Sequence, residues 1–381
     1  MPKLAYIFDQ TLPAPTADSE QLMNTVAALS RRGYNCTLFL PASNESENTS
    51  PDALRAFYHV EGDFRLELLH SVFPGPRLLE KVVHPALCAT LQRRRLRGFD
   101  LVYSRNIPAL AAALACRVPV MYDTYRPWPA QYHHVLRPLF RALFADPLFL
   151  GAGLHSGYAR DSYTAMGIPE DRTVVAHNGY NPAVWEPRLS QSEARQKLGL
   201  ADDRPVAVYS GRMAPEKGVD SLLDLAERTP DCRFVFIGSH GQGPLEERAA
   251  SLENVQIQGW LPFEELPAWL YAADILLLPF PKKMAHNTVL PIKVYSYFAA
   301  GRAIFSPASD DTRELFEDGV NSCLVAPGGD ILGRFQELVR DRDLREKIAQ
   351  GAVESAKSLT WDARAGVLDG FIRRRLAEIG R

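Results

Sequence analysis

The chain has 381 residues, of which 46% are hydrophobic and 23% are charged, and its formal net charge is −2. This length exceeds what one ordinary core organises, so we expect two domains. The near-neutral charge argues against nucleic acid as the main partner. Charged residues or proline interrupt the apolar stretches before they reach bilayer length, so the sequence predicts no transmembrane helix.

Short apolar strands alternate with helical patterns along the chain. A strand at 3–8 is followed by an amphipathic helix at 19–32 and a strand at 36–40. Further strands of this first series are predicted at 100–103, 118–122 and 173–177. The second series is predicted at 206–209, 234–237, 255–257, 275–278, 303–305 and 323–325, with helices at 219–228, 245–252, 264–272 and 292–300.

This alternation predicts parallel sheets with helices on both faces, and the two series predict two doubly wound α/β domains. We place the first domain at residues 1–185 and the second at 186–360. Residues 181–205 are rich in Pro, Ser, Asp and Arg and are the candidate linker. An amphipathic helix is expected at 361–376. Ligands of such sheets bind beyond the carboxyl ends of the strands, so we expect the two domains to face a central cleft.

Five scattered cysteines include no CxxC pair: Cys36, Cys88, Cys116, Cys232 and Cys323. Together with the absence of a signal peptide, this odd set favours reduced thiols and a cytoplasmic location. The histidines lack a metal-ligand spacing, and Asp310-Asp311 is expected in a loop without partner carboxylates. We therefore expect no metal site.

The predicted strand at 206–209 leads into Ser-Gly-Arg-Met-Ala-Pro-Glu-Lys-Gly, residues 210–218. Gly211 permits a tight turn, after which Arg212 and Lys217 can both reach an anion at the strand end. The alternative is a surface turn with two solvated cations. The length of the string and its place between a strand and a helix favour a bound anion such as a diphosphate.

A second candidate segment follows the predicted strand at 275–278. The backbone N–H groups of Thr288, Val289 and Leu290 would stand at the N-terminal end of the next helix. Lys293 adds a cation in the first turn, which is unfavourable to the helix dipole unless an anion is bound there. His286 could contact a phosphate or a sugar, or could simply be solvated.

Three loops of the first domain could face the same ligand. Thr16 and Ala17 precede the first helix, and Arg105 follows the predicted strand at 100–103. Asp123 and Tyr125 follow the predicted strand at 118–122 and could supply a carboxylate and a hydroxyl.

The first domain is locally basic. Between residues 77 and 117, eight basic residues stand against two acidic ones, and residues 135–144 interleave Arg with large apolar residues. Such a surface can rest on an anionic bilayer. The alternative is a solvated helix face beside an ordinary core helix.

Together these features resemble the retaining glycosyltransferases of family 4, which have the GT-B fold. The resemblance runs over essentially the whole chain and is strongest at residues 209–329. It rests on the Ser-Gly-Arg…Glu-Lys-Gly string, Gly259-Trp260-Leu261, the segment 271–279, Ala299-Ala300-Gly301, and Glu-Asp-Gly-Val-Asn at 317–321. The resemblance implies two Rossmann-like domains, with the C-terminal helix of 361–381 packing back on the first.

The resemblance also implies roles for the candidate residues. Arg212 and Lys217 would offset the charge that develops on a leaving diphosphate. The nucleotide base would lie beside Trp260 and Leu261. The backbone from Thr288 to Ile292 would hold the diphosphate or the donor sugar. Asp123 would join Arg212 and Lys217 as a catalytic residue. The acceptor would be bound by the loops of the first domain that carry Thr16, Ala17, Arg105 and Tyr125.

The sequence departs from the family pattern at three positions. The family's Glu-x7-Glu pair falls on Thr288 and Ser296, and Ser296 can offer the ribose only a shorter, neutral contact than the second glutamate. The family's acidic-x-His pattern reads Asp123-Thr124-Tyr125, so a tyrosine replaces the histidine near the reacting centre.

The resemblance predicts a cytoplasmic, retaining, metal-independent glycosyltransferase with a UDP- or GDP-linked sugar donor. Its acceptor would be a saccharide or a lipid-linked saccharide in surface polysaccharide or glycoconjugate synthesis, with peripheral contact to the inner face of the membrane as an option. The loss of both glutamates motivates one alternative, a non-catalytic member that binds a nucleotide or a partner enzyme. A nucleotide-sugar epimerase of the same fold lacks the carboxylates that such chemistry usually needs.

Overall fold

The computed structural model describes residues 1–42, 49–70, 90–128, 137–200, 203–280 and 290–381. The chain divides into two compact units. The first unit comprises Met1–Gly179 and Trp361–Arg381, and the second comprises Tyr180–Thr360. Each unit is built around one parallel sheet, which confirms the predicted pair of α/β domains.

The first unit has a seven-stranded sheet in the order β3-β2-β1-β4-β5-β6-β7. Its strands are β1 (Lys3–Ile7), β2 (Asn35–Ala42), β3 (Phe64–His70), β4 (Leu101–Ser104), β5 (Val120–Thr124), β6 (Phe149–Leu154) and β7 (Thr173–Val175). Its helices are α1 (Ala17–Arg31), α2 (Pro51–Tyr58), α3 (Arg93–Leu96), α4 (Ile107–Ala115), α5 (Arg137–Ala145), α6 (Gly157–Thr164) and, at the C-terminus, α14 (Trp361–Glu378). The strand order reverses between β1 and β4, and the ends of these two strands therefore mark the place where such sheets bind ligands.

The second unit has a six-stranded sheet in the order β10-β9-β8-β11-β12-β13. Its strands are β8 (Val206–Ser210), β9 (Arg233–Ser239), β10 (Val255–Gly259), β11 (Ile275–Leu277), β12 (Ala303–Pro307) and β13 (Cys323–Val325). Its helices are α7 (Gln191–Leu198), α8 (Val219–Glu227), α9 (Pro244–Ala250), α10 (Leu266–Ala272), α11 (Lys293–Ala300), α12 (Ile331–Arg340) and α13 (Arg342–Ala356). Here the strand order reverses between β8 and β11, at the end of the strand that leads into Gly211.

The C-terminal helix α14 belongs to the first unit and packs on its sheet. Gly151 and Gly153 of β6 leave the space that Phe371 and Leu368 of this helix fill. Side chains at these two glycines would meet the helix, so small residues in β6 are what allow the helix to approach the sheet closely.

Two expectations about the elements were wrong. Strands β3 and β6 were not predicted, and β5 extends to Thr124, so that Asp123 lies inside a strand rather than in the loop after it. The candidate linker at 181–205 is part of the second unit: Trp185, Ala194 and Leu200 lie in its hydrophobic core. The segment is polar in overall composition, but its few apolar side chains pack into the core, so it is not a linker.

Helix α5 covers most of the segment 135–144, which the sequence analysis considered as a bilayer-binding surface. Phe140 and Phe144 are buried in the core of the first unit, and Arg141 donates a hydrogen bond to the carbonyl of Met166 at 2.8 Å. The aromatic side chains of this helix therefore serve the core, and the ordinary-core alternative holds for them. Within the described residues, no helix is long and apolar enough to cross a membrane.

Candidate functional site

The turn after β8 is shaped by two glycines in contact. Gly211 has φ of +138° and donates its N–H to the carbonyl of Ile237 at 2.8 Å. Gly238, at the end of β9, has φ of +101°, and a Cβ there would come within 3.0 Å of the Gly211 carbonyl oxygen. Both positions favour glycine, because their φ values are positive and a side chain at either one would collide with neighbouring protein atoms.

Two exposed cations follow directly. Arg212 precedes a short 3-10 turn, Pro215–Lys217, whose last residue is Lys217 and which leads through Gly218 into α8. The Tyr209 hydroxyl donates to the Arg212 carbonyl at 3.0 Å, which fixes the backbone between them. Within the described part of the chain, no carboxylate lies within 4 Å of either cation. Their charge is therefore available to an anion.

Lys293, the first residue of α11, brings a third cation to the same turn. Its Nζ lies 4.1 Å from the centroid of the Tyr209 ring, and a side chain at Gly211 would collide with this nitrogen. Burial and, to a smaller extent, the charge of Lys217 lower the pKa of Lys293 to about 7. No described acidic residue forms an ion pair with Lys293, so the turn holds more positive charge than it can neutralise.

Helix α11 is tied to the sheet by a tyrosine. The Tyr297 hydroxyl accepts a hydrogen bond from the Ser210 N–H at 3.0 Å and donates one to the Leu277 carbonyl at 3.2 Å. This links the helix to β8 and β11 on both sides of the reversal in strand order. Ser296 lies one turn after Lys293 and is partly buried. Residues three apart are neighbours on a helix surface, so Ser296 and Lys293 share one region of α11.

The remaining predicted donor residues have different surroundings. Trp260 follows β10 and is 52% exposed, a large aromatic surface at the carboxyl edge of the sheet. Leu261 is half-buried against the core, and Leu290 is 6% exposed with its side chain inside the core of the second unit. Leu290 can therefore offer a ligand only its backbone. Thr288, Val289 and His286 lie outside the described residues.

The sequence analysis did not identify a glycine-rich segment that begins at the end of β9. It runs Gly238-Ser239-His240-Gly241-Gln242-Gly243 and leads into α9. The Ser239 hydroxyl accepts from the Gly241 N–H at 3.2 Å and donates to Oε1 of Glu246 at 3.0 Å. The repeated glycines between a strand and a helix were the signal that could have identified it, because this is how backbone N–H groups are presented to phosphates.

The predicted residues of the first unit lie at the carboxyl edge of its sheet. Thr16 caps α1, accepting from the Ser19 N–H at 3.3 Å, and Ala17 is the first residue of the helix. Arg105 follows β4 and is bound to α1 through Asp18 Oδ1 at 3.2 Å and Gln21 Oε1 at 3.1 Å. Arg105 and the loop of Thr16 and Ala17 thus both lie next to α1, near the reversal between β1 and β4.

Asp123 lies in a buried polar network and not on an open surface. Its carboxylate accepts from Gln21 Nε2 at 2.7 Å and from Arg364 Nη2 at 2.9 Å, and it faces His155 Nε2 at 3.2 Å. The side chains of Asp123 and Arg364 expose no surface. Burial alone would raise the pKa of this carboxyl, but the charges of Arg364 and the contact with His155 hold it well below its usual range. The geometry gives Asp123 a positioning role for its neighbours.

His155 follows β6 and was missed by the sequence analysis. It is 6% exposed, and its ring centroid lies 6.1 Å from that of Tyr125. Burial and the nearby Arg364 lower its pKa from 6.5 to about 4, so the imidazole is neutral at pH 7. Tyr125 stands where the family pattern has a histidine. A neutral imidazole, that of His155, lies near it at the end of the adjacent strand β6.

Two family models match the chain and together span most of it. The model described as Glycosyl transferases group 1 matches residues 190–355, and the model described as Glycosyltransferase Family 4 matches residues 20–184. The chain is 28% identical over 188 residues to the alpha-D-kanosaminyltransferase of Streptomyces kanamyceticus, covering 47% of each chain. It is 30% identical over 233 residues to the D-inositol 3-phosphate glycosyltransferase of Streptosporangium roseum, covering 55% of this chain and 51% of the relative. The matches thus span about half the length of these relatives.

Solved structures are similar over the whole chain. HepE of Anabaena, solved with UDP and glucose, has a TM-score of 0.72 at 18% identity and covers 98% of this chain and 100% of its own. Sucrose-phosphate synthase of Thermosynechococcus elongatus has a TM-score of 0.75 at 16% identity and covers 99% and 100%. These similarities confirm the predicted GT-B fold.

Proposed function

The chain belongs to the group 1 glycosyltransferases of family 4, and from this premise we propose that it transfers a sugar from a nucleotide-sugar donor to a hydroxyl of a saccharide acceptor. The observation that carries the proposal is the cluster of Arg212, Lys217 and Lys293 at the turn that contains Gly211. Three cations without a described acidic partner fit a diphosphate better than any neutral ligand. The relatives named as transferases favour this activity over the non-catalytic alternative.

The donor is proposed to be UDP- or GDP-linked. Its diphosphate would lie against the cations Arg212, Lys217 and Lys293, and its base would stack on Trp260, whose exposed ring stands at the same carboxyl edge of the sheet. Ser296 would face the ribose from α11. The structure of HepE with UDP-glucose supports a donor of this class.

The chemistry is proposed to be metal-independent transfer with retention of configuration. The bond between the sugar C1 and the diphosphate oxygen breaks, its electron pair leaves with the diphosphate, and the acceptor oxygen bonds to C1. The acceptor's proton passes to the departing diphosphate. Arg212, Lys217 and Lys293 would stabilise the charge that grows on this leaving group, which is the task a divalent ion performs elsewhere. Retention rests on the family alone.

The acceptor is proposed to bind at the carboxyl edge of the first sheet, beside Thr16, Ala17, Arg105 and Tyr125. Its class is a saccharide or lipid-linked saccharide, used in a surface polysaccharide or glycoconjugate, and the reaction would take place in the cytoplasm. The network of Asp123, His155 and Arg364 would hold this edge rigid behind the acceptor.

Calorimetric titration of the full chain with UDP, GDP and ADP tests the proposal. We expect one of these nucleotides to bind, and we expect Arg212→Ala with Lys217→Ala to weaken its binding by at least ~100-fold, or about 2.7 kcal/mol. The matched control is Arg340→Ala with Lys347→Ala, which removes two exposed cations from α12 and α13 of the same unit.

The control should bind like the wild type. A wild-type chain that binds none of the three nucleotides would exclude the proposed activity. Binding without slow hydrolysis of any UDP- or GDP-sugar would instead return the non-catalytic alternative.

A further inference from the structure

The chain immediately after β5 carries an arginine held between two aromatic rings. The guanidinium carbon of Arg126 lies 5.3 Å from the centroid of the Tyr125 ring and 5.0 Å from that of Trp128. Arg126 Nε also donates a hydrogen bond to the Tyr125 hydroxyl at 3.0 Å. Stacking and this hydrogen bond together fix the plane of the guanidinium.

The support beneath this arginine is itself fixed. The Arg126 N–H donates to the Thr124 hydroxyl at 3.2 Å, and the Arg126 carbonyl accepts from the Tyr163 hydroxyl at 3.4 Å. Trp128 packs against the hydrophobic core of the first unit. A flexible surface arginine loses side-chain entropy when it binds, whereas one held in this way has already lost much of it.

The two terminal amino groups of Arg126 remain available. Arg126 is exposed, and among the described residues no carboxylate lies within 4 Å of it and no acceptor engages these amino groups. An exposed guanidinium whose terminal donors have no described partner matches the two oxygens of a phosphate or a carboxylate.

Two other charged side chains at this edge have partners within the first unit. Asp123 is paired with Arg364, and Arg105 is paired with Asp18. Arg105 also lies 4.9 Å from the Tyr125 centroid, so it adds positive potential to the same ring. Arg126 is therefore a cation beside Tyr125 that has no described ion-pair partner.

We propose that Arg126 binds an anionic group of the acceptor, a phosphate or a carboxylate carried by the saccharide. This inference rests on the proposed function, which places the acceptor at the carboxyl edge of the first sheet. It narrows the acceptor from saccharides in general to charged ones. Arg126 is a specificity-determining residue in this scheme and takes no part in breaking or forming bonds.

The test compares charged and neutral sugars on the full chain. Glucose 6-phosphate, glucuronate and glucose are titrated calorimetrically into protein saturated with UDP, which blocks the diphosphate site of the second unit. We expect the wild type to bind at least one of the two anions ~10-fold or more tightly than glucose. Arg126→Gln should abolish this difference, and Arg126→Lys should retain part of it, because a lysine keeps the charge and loses the fork.

Arg374→Gln is the matched control, since Arg374 is also exposed and lies over an aromatic ring, 5.4 Å from the Phe371 centroid, near the C-terminal end of α14. Preference for glucose 6-phosphate or for glucuronate identifies the anion as phosphate or carboxylate. Equal binding of charged and neutral sugars by the wild type, or a preference that survives Arg126→Gln, overturns the inference. Failure of UDP to bind is a separate result that speaks against the proposed function, and the sugar titrations without UDP then still report on Arg126.

Discussion

Lys293 lies beside Gly211, and its surroundings lower the pKa of its ammonium group while no anion is bound. Burial, with Lys217 nearby, places its pKa at about 7, and the face of the Tyr209 ring, whose centroid is 4.1 Å from Nζ, stabilises its charge. A bound diphosphate would add negative charge next to Nζ and raise this pKa. Nucleotide binding and protonation of Lys293 should therefore be linked.

This linkage predicts that the affinity for UDP falls as the pH rises above 7. The free protein loses the Lys293 proton above pH 7 while the complex keeps it, so binding must take up a proton there. We expect the Kd for UDP to rise by up to ~10-fold per pH unit between pH 7 and 9, and Lys293→Met to flatten the profile. The measurement is calorimetry in two buffers of different ionisation enthalpy.

Lys347→Met, an exposed lysine on α13, is the control and should keep the wild-type profile. The window starts at pH 7 because phosphate groups themselves titrate near pH 6. A wild-type affinity that does not change between pH 7 and 9, together with no proton uptake, would contradict the linkage.

Among elements, α14 is fixed to the first sheet by polar contacts as well as by packing. Arg364 bonds Asp123 and the Ala176 carbonyl, and Arg375 Nε donates to the Leu150 carbonyl at 2.9 Å. Both arginines come from the last twentieth of the chain and bond strand ends or their neighbours. The helix therefore completes the buried network at the proposed acceptor edge.

The Asp123–Arg364 pair predicts a large loss of stability when one partner is removed. Arg364→Met leaves a buried carboxylate without its cation, which should cost about 3–5 kcal/mol of unfolding free energy. Asp123→Leu alone should cost a similar amount, and the double variant less than the sum of the two. Urea unfolding at pH 7 measures all three, with Arg374→Met as an exposed control that should stay within ~0.5 kcal/mol.

The pH dependence of this pair has a definite sign. Because the pKa of Asp123 is depressed in the folded protein, its contribution is fully present above the unfolded pKa of about 4 and is lost as the pH falls further. If the double variant at pH 7 loses as much unfolding free energy as the two single variants together, the two side chains do not stabilise one another.

The elements show which features local sequence can predict. The candidate anion site at 210–218 can be recognised from local sequence because Gly211, Arg212 and Lys217 lie within seven residues. The acceptor edge could not be predicted in this way, since Asp123 meets His155 across 32 residues and Arg364 across 241. Strand β6 was missed for a related reason: its two glycines weaken the strand pattern, and only the distant Phe371 and Leu368 explain them.

At the scale of the whole molecule, the buried ionisable groups divide the pH range between the two units. In the first unit, burial raises the pKa of Glu20 on α1 from 4.5 to about 7, and burial with Arg364 lowers that of His155 from 6.5 to about 4. In the second unit, the pKa of Lys293 shifts from 10.5 to about 7. The shifted side chains of the first unit thus have pKa values at or below 7 in the folded and unfolded protein, whereas the pKa of Lys293 in the second unit is at or above 7 in both states.

Glu20 and His155 oppose each other within the first unit. Folded Glu20 holds its proton more tightly than the unfolded chain does between pH 4.5 and 7, so it makes the unit more stable as the pH falls. Folded His155 resists protonation between pH 6.5 and 4, so it makes the unit less stable over nearly the same window. The two slopes largely cancel, and the wild-type first unit should change little in stability between pH 7.5 and 5.

Single variants should separate the two slopes. Glu20→Gln leaves the histidine slope, so the first unit should be less stable at pH 5 than at pH 7.5 by on the order of 2–3 kcal/mol. His155→Gln leaves the glutamate slope and should reverse the sign. Urea unfolding at each pH, read by pulsed hydrogen exchange at one common pH, follows each unit through peptides from β5 and β9. The β9 peptides serve as the internal control, because Lys293 does not titrate differently in the folded and unfolded states below pH 7. Equal pH slopes for Glu20→Gln, His155→Gln and the wild type would show that neither buried group is coupled to folding.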